Sequence, residues 1–256
     1  MRVTVKIGSS TIAHPTGQLN IRRMEKMCKV LSDLKNMGHD IILVSSGAIS
    51  MGMGKLLMKQ RPKDMPTKQA AAAIGQCELM YAYDKLFSEH RHTVGQILLT
   101  RGDIENGERR RNFQNTAARL LELGAMPIIN ENDTVATEEI SIGDNDTLSA
   151  VVAEATCSDL LILLSDIDGL YSADPRKDPS AKMISLVEEI TPEILALAEG
   201  KGSELGTGGM TTKLKAAQIA TSAGIDMVIA NGDDPDVLYT IVEGGKAGTR
   251  FARKAK

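Results

Sequence analysis

The stretch IILVSSGA at residues 41–48 begins with an unbroken apolar run, residues 41–44, and ends in a turn of small residues. A strand without polar alternation is typical of a parallel sheet that helices cover on both faces. The pattern returns at residues 160–166, where the run LLILL is followed by Ser165 and Asp166. These two stretches predict an α/β fold with a mostly parallel central sheet.

Strand-like and helix-like segments alternate through the rest of the chain, as expected when helices join parallel strands. Short apolar runs predict strands at residues 2–7, 94–99, 127–129 and 227–230. Helical spacing predicts helices at residues 21–37, 67–88, 108–123, 147–156, 210–223 and 235–242, and a short one that starts at Pro192. The remaining segments predict a small hairpin at 135–142, an irregular connection at 167–190, a mobile glycine-rich lid at 200–209 and a glycine-rich tail.

The composition is that of a globular protein with a sizeable core: 256 residues, 42% hydrophobic and 25% charged. A net charge of −3 and 3% aromatic residues argue against a nucleic-acid-binding protein. No apolar run approaches the roughly 20 residues that span a bilayer, and the N-terminus has strand alternation in place of a signal peptide. Three well-separated cysteines and four histidines form no metal-binding pattern, so we expect a cytoplasmic protein with no resident metal.

Polar and small residues follow the carboxyl ends of the predicted strands, where ligands bind in open α/β sheets. They are Lys6 and Gly8 after the first strand, Ser46 and Gly47 after the second, the stretch Asn130-Glu131-Asn132-Asp133, and Ser165 with Asp166. Turns alone also favour Gly, Ser and Asn, which is the alternative explanation for each stretch taken singly. Their recurrence at one edge of the sheet favours a binding site.

Lys6 is the most unusual of these residues. It lies on the opposite face from Val3, Val5 and Ile7, near the end of the first predicted strand. A lysine in a sheet covered on both faces is costly unless a charge such as a phosphate pairs with it. The alternative is an edge strand with Lys6 in solvent. Gly8 would let the backbone approach an anion closely.

Two further stretches could complete an anion site. The loop GTGGMTTK, residues 206–213, leads directly into a predicted helix whose first N–H groups can bind an anion, and Lys213 would reach the same place. The loop lacks the spacing of a P-loop. The stretch GDND, residues 143–146, is either a plain helix cap or functional. In the functional interpretation Asp146 orients the two lysines and Asn145 hydrogen-bonds a substrate.

Together these stretches resemble the amino-acid kinase family, and within it the members that phosphorylate L-glutamate. The resemblance covers essentially the whole chain and is carried by VKIGSS (5–10), SSGAIS (45–50), GQILLTRGD (95–103), INENDTVAT (129–137), GDNDTLSA (143–150), LLSDIDGLYSADPR (163–176) and GTGGMTTKL (206–214). It implies a three-layer α/β/α sandwich that uses ATP, Mg²⁺ and L-glutamate and makes γ-glutamyl phosphate, the first step towards proline. It also implies a single domain, residues 1–256, with a glutamate-binding half at about 1–165 and a nucleotide-binding half at about 166–256.

The resemblance also implies roles for individual residues. Lys6, Asp146 and Lys213 look catalytic, whereas Ser46, Gly47, Asp133 and Asn145 look like glutamate contacts. The nucleotide contacts would be Lys6, Gly8, Ser165, Asp166, Thr207, Gly208, Gly209, Met210, Thr211, Thr212 and Lys213. Family members are commonly homo-oligomers, dimers or tetramers, that proline inhibits, and many carry a further PUA-type domain, whereas this sequence ends at Lys256.

Two alternatives remain open from the sequence. A kinase acting on N-acetylglutamate would bind an uncharged amide, whereas the acidic residues of segment 130–146 favour a free ammonium group, with Asp133 as its expected partner. A non-catalytic amino-acid sensor with the same fold would not need Lys6, Asp146 and Lys213.

Overall fold

The computed structural model describes residues 1–14, 16–136, 145–175, 177–198 and 209–254. The strands are β1 (Arg2–Ile7), β2 (Asp40–Ser45), β3 (Val94–Leu99), β4 (Met126–Glu131), β5 (Leu160–Ser165), β6 (Leu170–Tyr171), β7 (Met183–Ile184), β8 (Leu186–Val187), β9 (Asp226–Asn231) and β10 (Thr249–Phe251). The helices are α1 (Ser9–Ile12), α2 (Ile21–Asn36), α3 (Ala48–Lys55), α4 (Met65–Ser88), α5 (Arg101–Glu105), α6 (Gly107–Glu122), α7 (Asn145–Ala155), α8 (Pro192–Ala196), α9 (Met210–Ser222) and α10 (Val237–Val242).

Eight strands form one sheet in the order β3-β4-β2-β1-β5-β9-β10-β8. The pairs from β3 through β9 are parallel, β10 is antiparallel to β9, and β8 runs parallel to β10. The predicted mostly parallel sheet is therefore confirmed. Strand β2 pairs with one edge of β1, and β5, which comes later in the chain, pairs with the other edge. The ends of β1 and β5 consequently flank a switch point, which is where open α/β sheets bind ligands.

Helices cover both faces of the sheet. Apolar side chains of α2, α4 and α10 pack on one face, against residues such as Val5 and Ile162. Side chains of α6, α7 and α9 pack on the other face, against residues such as Val44, Leu163 and Ile229. The three-layer α/β/α sandwich is thus the observed architecture, and each strand is apolar on both faces because each face is covered.

Several short elements were not predicted. The tail contains strand β10, and the segment 167–190 contains a β6–β7 hairpin and strand β8. Helix α3 also went unpredicted, because Gly52 and Gly54 lower its helix propensity. Of the predicted hairpin at 135–142, Val135 and Ala136 lie in a turn that bonds back to Asn132, and the rest lies outside the described residues. Nearly all of the predicted lid at 200–209 also lies outside the described residues.

Helices α3 and α4 pack with their backbones almost touching. A Cβ atom on Gly75 would lie 1.7 Å from the carbonyl oxygen of Ala48, and one on Gly52 would lie 1.8 Å from that of Ala71. Only hydrogen fits at these two positions, which explains the small residues of the Ala-rich segment. Ala71 and Ala72 are buried, whereas Ala70 and Ala73 are exposed. In the described parts of the chain no helix is long and apolar enough to cross a bilayer.

Candidate active site

Three buried charged side chains meet at the carboxyl end of the sheet. Lys6 lies near the end of β1, Asp146 in the first turn of α7, and Lys213 in the first turn of α9. The Nζ of Lys6 is 2.6 Å from Oδ1 of Asp146, and the Nζ of Lys213 is 3.1 Å from Oδ2. Only 11%, 1% and 5% of the Lys6, Asp146 and Lys213 side chains are exposed. The structure thus contains both predicted ion pairs.

The position of Lys6 excludes the alternative that β1 is an edge strand. Lys6 is flanked by Val44 on β2 and by Leu163 on β5, so β1 is central. Its side chain points away from the face that buries Val5 and Ile7, towards helices α7 and α9. A central lysine with this burial requires an anionic partner, and Asp146 is that partner in the structure.

Asp146 is held as a carboxylate. Burial raises the pKa of its carboxyl group, but the charges of Lys6 and Lys213 outweigh burial, so the pKa lies below its ordinary value. Thr212 donates a third contact, with its Oγ1 3.0 Å from Oδ2 of Asp146. Oδ1 of Asp146 thus pairs with Lys6 of β1, and Oδ2 pairs with Lys213 of α9, so this one carboxylate joins the two elements at the site.

The surroundings of the lysine pair suit a phosphate. Helix α9 begins after Gly209, which has no side chain to cap it, and the first N–H groups of a helix are groups that can bind an anion. A Cβ atom on Gly8 would lie 3.8 Å from Nζ of Lys6 and 3.7 Å from the carbonyl oxygen of Leu164. Glycine thus leaves open the space beside the Lys6 ammonium group.

The predicted glutamate contacts Ser46, Gly47 and Asn145 lie together beside this pair. Nδ2 of Asn145 is 2.8 Å from Oγ of Ser46 and 2.6 Å from the carbonyl oxygen of Ser45. Gly47 precedes helix α3 with a φ of 101°, a left-handed conformation that strongly favours glycine. Asn145 thus joins the end of β2 to the start of α7, directly before Asp146 in the chain.

Asp133 follows β4 and is mostly buried. Burial and the neighbouring Glu131 raise the pKa of its carboxyl group to about 6, against a smaller lowering effect of Arg61. A carboxylate with a raised pKa gains from a cationic partner. Asp133 is thus chemically suited to an ammonium group, as the sequence predicted, and its role stays a prediction.

The predicted nucleotide contacts lie on both sides of the switch point. Ser165 and Asp166 follow β5, and Oγ of Ser165 donates to Oδ1 of Asp166 at 3.0 Å. Met210 and Thr211 begin α9, where Oγ1 of Thr211 donates to the carbonyl oxygen of Ala198 at 3.3 Å. Thr207 and Gly208 lie outside the described residues.

Three further side chains hydrogen-bond to the predicted glutamate contacts or to their neighbours, and the sequence predicted no such contact for any of them. Nδ2 of Asn130 donates to Oε1 of Gln76 at 2.8 Å, while Oδ1 of Asn130 accepts from Asn145 at 3.0 Å. The hydroxyl of Tyr83 lies 2.9 Å from Oγ of Ser45. Asn130 belongs to a stretch recognised at a strand end, but Gln76 and Tyr83 lie in the predicted helix at 67–88, for which the sequence indicated no contact with the site. The two glutamines of this alanine-rich helix, Gln69 and Gln76, were the available signal.

Among the described residues there is no group of three or more His, Cys, Asp or Glu side chains arranged to hold a metal ion. His90 and His92 lie between α4 and β3, where Nε2 of His92 contacts the carbonyl oxygen of Ser32 at 3.2 Å.

Comparison with known proteins relates this arrangement to one family. The sequence model of the amino acid kinase family matches residues 1–231. The glutamate 5-kinase of Clostridium acetobutylicum is 52% identical over 255 residues, which cover 100% of this chain and 96% of that protein. The glutamate 5-kinase of Clostridium perfringens is 50% identical over 257 residues, covering 99% and 96%. The crystal structure of the UMP kinase from Bacillus anthracis has a TM-score of 0.66 at 17% identity, covering 99% of this chain and 96% of that chain, and this likeness concerns the fold alone.

Proposed function

The chain belongs to the amino acid kinase family, and from this membership we infer that it is a glutamate 5-kinase. It transfers the γ-phosphoryl group of ATP to the side-chain carboxylate of L-glutamate, the first step of proline biosynthesis. Identities of 50% and 52% to two glutamate 5-kinases over almost the whole chain support this inference. The structural observation that carries it is the pairing of two buried lysines with one carboxylate.

This pairing leaves a positive charge to be balanced. Among the described residues the ion pairs bring only Asp146 to Lys6 and Lys213, so two ammonium groups share one carboxylate. An uncompensated charge is costly at a buried site. An anionic ligand removes that cost, and the N-terminal end of α9 favours a phosphate there.

Phosphoryl transfer depends on positioning and charge stabilisation more than on covalent help. Lys6 and Lys213 would bind the transferring phosphoryl group from two sides and stabilise the negative charge of the transition state. Asp146 would hold both ammonium groups in place. The acceptor carboxylate of glutamate has a pKa of about 4.3 and is ionised at neutral pH, so the transfer needs no general base.

Mg²⁺, when bound, neutralises charge on the nucleotide phosphates. Asp146 is engaged by its lysines, and the described residues offer no ready-made metal cluster. The donor set therefore fits an ion that arrives with ATP and keeps phosphate and water ligands, as Mg²⁺ commonly does. We propose this arrangement and assign no protein ligand to the ion.

The α-ammonium group of glutamate would bind between Asp133 and Asn145. The amide donors of Asn145 face Ser45, Ser46 and Asn130, so among its contacts with the described residues Oδ1 is the atom left for a substrate donor. A carboxylate and an amide oxygen suit a cation, whereas an acetylated amine would leave Asp133 unpaired. The site therefore favours free glutamate over N-acetylglutamate.

The raised pKa of Asp133 predicts a pH-dependent affinity for glutamate. With a pKa of about 6, the group is mostly ionised at pH 7.5 and mostly protonated at pH 5. Only the ionised form attracts the substrate ammonium, so the KM for glutamate should rise roughly tenfold from pH 7.5 to pH 5. Initial rates at saturating ATP measure this change.

The variant Asp133→Asn is the control. Its KM for glutamate should be high at every pH and should lack the rise between pH 7.5 and pH 5. A wild-type KM that is flat over this range would contradict the role of Asp133.

We further propose homo-oligomerisation, inhibition by proline and a cytoplasmic location. Leu57 and Tyr81, at the α3–α4 pair, are large exposed apolar residues that suit contact with a second subunit. Proline shares the carboxylate and ammonium of glutamate, so it could occupy the Asp133–Asn145 end of the site. The free cysteines Cys28, Cys77 and Cys157 suit a reducing compartment.

The test of this function is ADP release measured side by side on L-glutamate, N-acetylglutamate and L-aspartate, with and without proline. Release that depends on L-glutamate and requires Mg²⁺ is expected. No release with any acceptor would overturn the kinase assignment and favour the amino-acid sensor, and release with N-acetylglutamate alone would overturn the substrate assignment.

A further inference from the structure

One face of helix α4 hydrogen-bonds the segments that carry the glutamate site. Gln69, Gln76 and Tyr83 recur every seven residues, which places them on one face of the helix. Nε2 of Gln69 donates to the carbonyl oxygen of Ala136 at 3.2 Å, beyond Asp133. Gln76 bonds Asn130, and Tyr83 bonds Ser45. Each contact reaches the end of a strand that borders the site.

The directions of the hydrogen bonds in this network are fixed by two backbone groups. The carbonyl oxygen of Ser45 can only accept, so the atom of Asn145 that faces it at 2.6 Å must be the donor Nδ2. The N–H of Glu131 can only donate, so the atom of Asn130 that faces it at 2.9 Å must be the acceptor Oδ1. Rotating the Asn145 amide by 180° would place its oxygen against the Ser45 carbonyl oxygen, and rotating the Asn130 amide would place its NH₂ group against the Glu131 N–H.

Gln76 supplies the last acceptor in this hydrogen-bond network. Because Oδ1 of Asn130 faces Glu131 and Asn145, its Nδ2 faces α4 and requires an acceptor, which Oε1 of Gln76 supplies at 2.8 Å. Gln76 is only 9% exposed, so little water is available to replace it. A buried amide donor that loses its acceptor is strongly disfavoured.

We propose that Gln76 is a positioning residue for glutamate binding, which acts through Asn130 to hold the amide of Asn145 with Oδ1 towards the substrate. This proposal rests on the proposed function and deepens it. Gln76 itself touches neither reactant. It holds Asn130, whose Oδ1 in turn accepts from the amide of Asn145, so its loss should weaken binding of the amino acid and leave ATP binding and the phosphoryl-transfer groups intact.

The variant Gln76→Met removes the acceptor while keeping an unbranched side chain of similar volume. We expect the KM for glutamate to rise on the order of tenfold, because a buried amide donor is left unpaired, whereas the KM for ATP and kcat should stay close to wild type. The matched control is Gln114→Met, which removes the bond from Nε2 of Gln114 to the carbonyl oxygen of Ala155 away from the site. This control should leave the KM for glutamate unchanged.

Two comparisons separate positioning from a purely structural role. Gln76→Glu keeps an acceptor and should restore most of the affinity that Gln76→Met loses. Adding Gln76→Met to Asn145→Ala should weaken glutamate binding, measured by titration calorimetry, little further, since Gln76 acts through Asn145. Should the Met variant not fold, Gln76→Ala in this alanine-rich helix gives the same comparison.

An unchanged KM in folded Gln76→Met, equal losses in KM for ATP and glutamate, or full additivity with Asn145→Ala would each overturn the proposal. The KM values of the variants and of the wild type are compared for the acceptor that the wild-type chain phosphorylates, whether or not that acceptor is glutamate. A wild-type chain inactive on glutamate therefore contradicts the proposed function and leaves the test of Gln76 in force.

Discussion

Replacing Lys213 with alanine is expected to lower kcat for glutamate phosphorylation on the order of 10²–10³-fold, and Lys6→Ala is expected to do the same. Each variant removes one of the two charges that would stabilise the transferring phosphoryl group. The two lysines meet at Asp146 from β1 and α9, so neither can move to replace the other. Steady-state kinetics at saturating ATP and glutamate measure the effect.

The lysine variants should remain folded, because removing one ammonium group leaves Asp146 paired with the other. Circular dichroism and thermal unfolding check this point. Lys215→Ala is the matched control, since Lys215 lies two residues away in α9 and is exposed. Near-normal turnover of Lys6→Ala or Lys213→Ala would contradict the assignment of a shared phosphate site.

Asp146→Asn should lower both stability and turnover. The substitution leaves two buried ammonium groups without a counter-charge, and breaking a buried ion pair in this way typically costs about 3–5 kcal/mol of unfolding free energy. Turnover should fall as well, because Asp146 fixes the positions of both lysines. Urea unfolding at pH 7 measures the free energy, and ADP release measures the activity.

The pH dependence of unfolding gives this prediction a second signature. The pKa of Asp146 lies below its ordinary value in the folded chain, so the carboxylate stabilises the fold above about pH 4, and this contribution is lost as pH falls through the folded pKa. The difference in unfolding free energy between wild type and Asp146→Asn should therefore become smaller at acidic pH. Asp84→Asn, at an exposed position of α4, is the control. An Asp146→Asn variant as stable as wild type at pH 7 would contradict the role of Asp146.

The two buried lysines show which residues of the candidate site could be predicted from the sequence. Lys6 was conspicuous because it interrupts the apolar pattern of a strand, and Lys213 because it follows a glycine loop at a helix start. Their meeting at Asp146 was predicted, and the structure contains it. Gln76 was not predicted, because a glutamine in a helix without a clear apolar face could equally lie at the surface until the fold places it.

The amino-acid sequence alone determined the alternation of strands and helices, and hence the parallel sheet with its polar residues at one edge, because hydrophobic periodicity is a local property of the chain. Only the tertiary structure decided that β1 is central, that the tail contributes a strand, and that α4 hydrogen-bonds Asn130 at the glutamate site. These features depend on contacts between residues far apart in sequence, and no local pattern specifies which distant surfaces pack together.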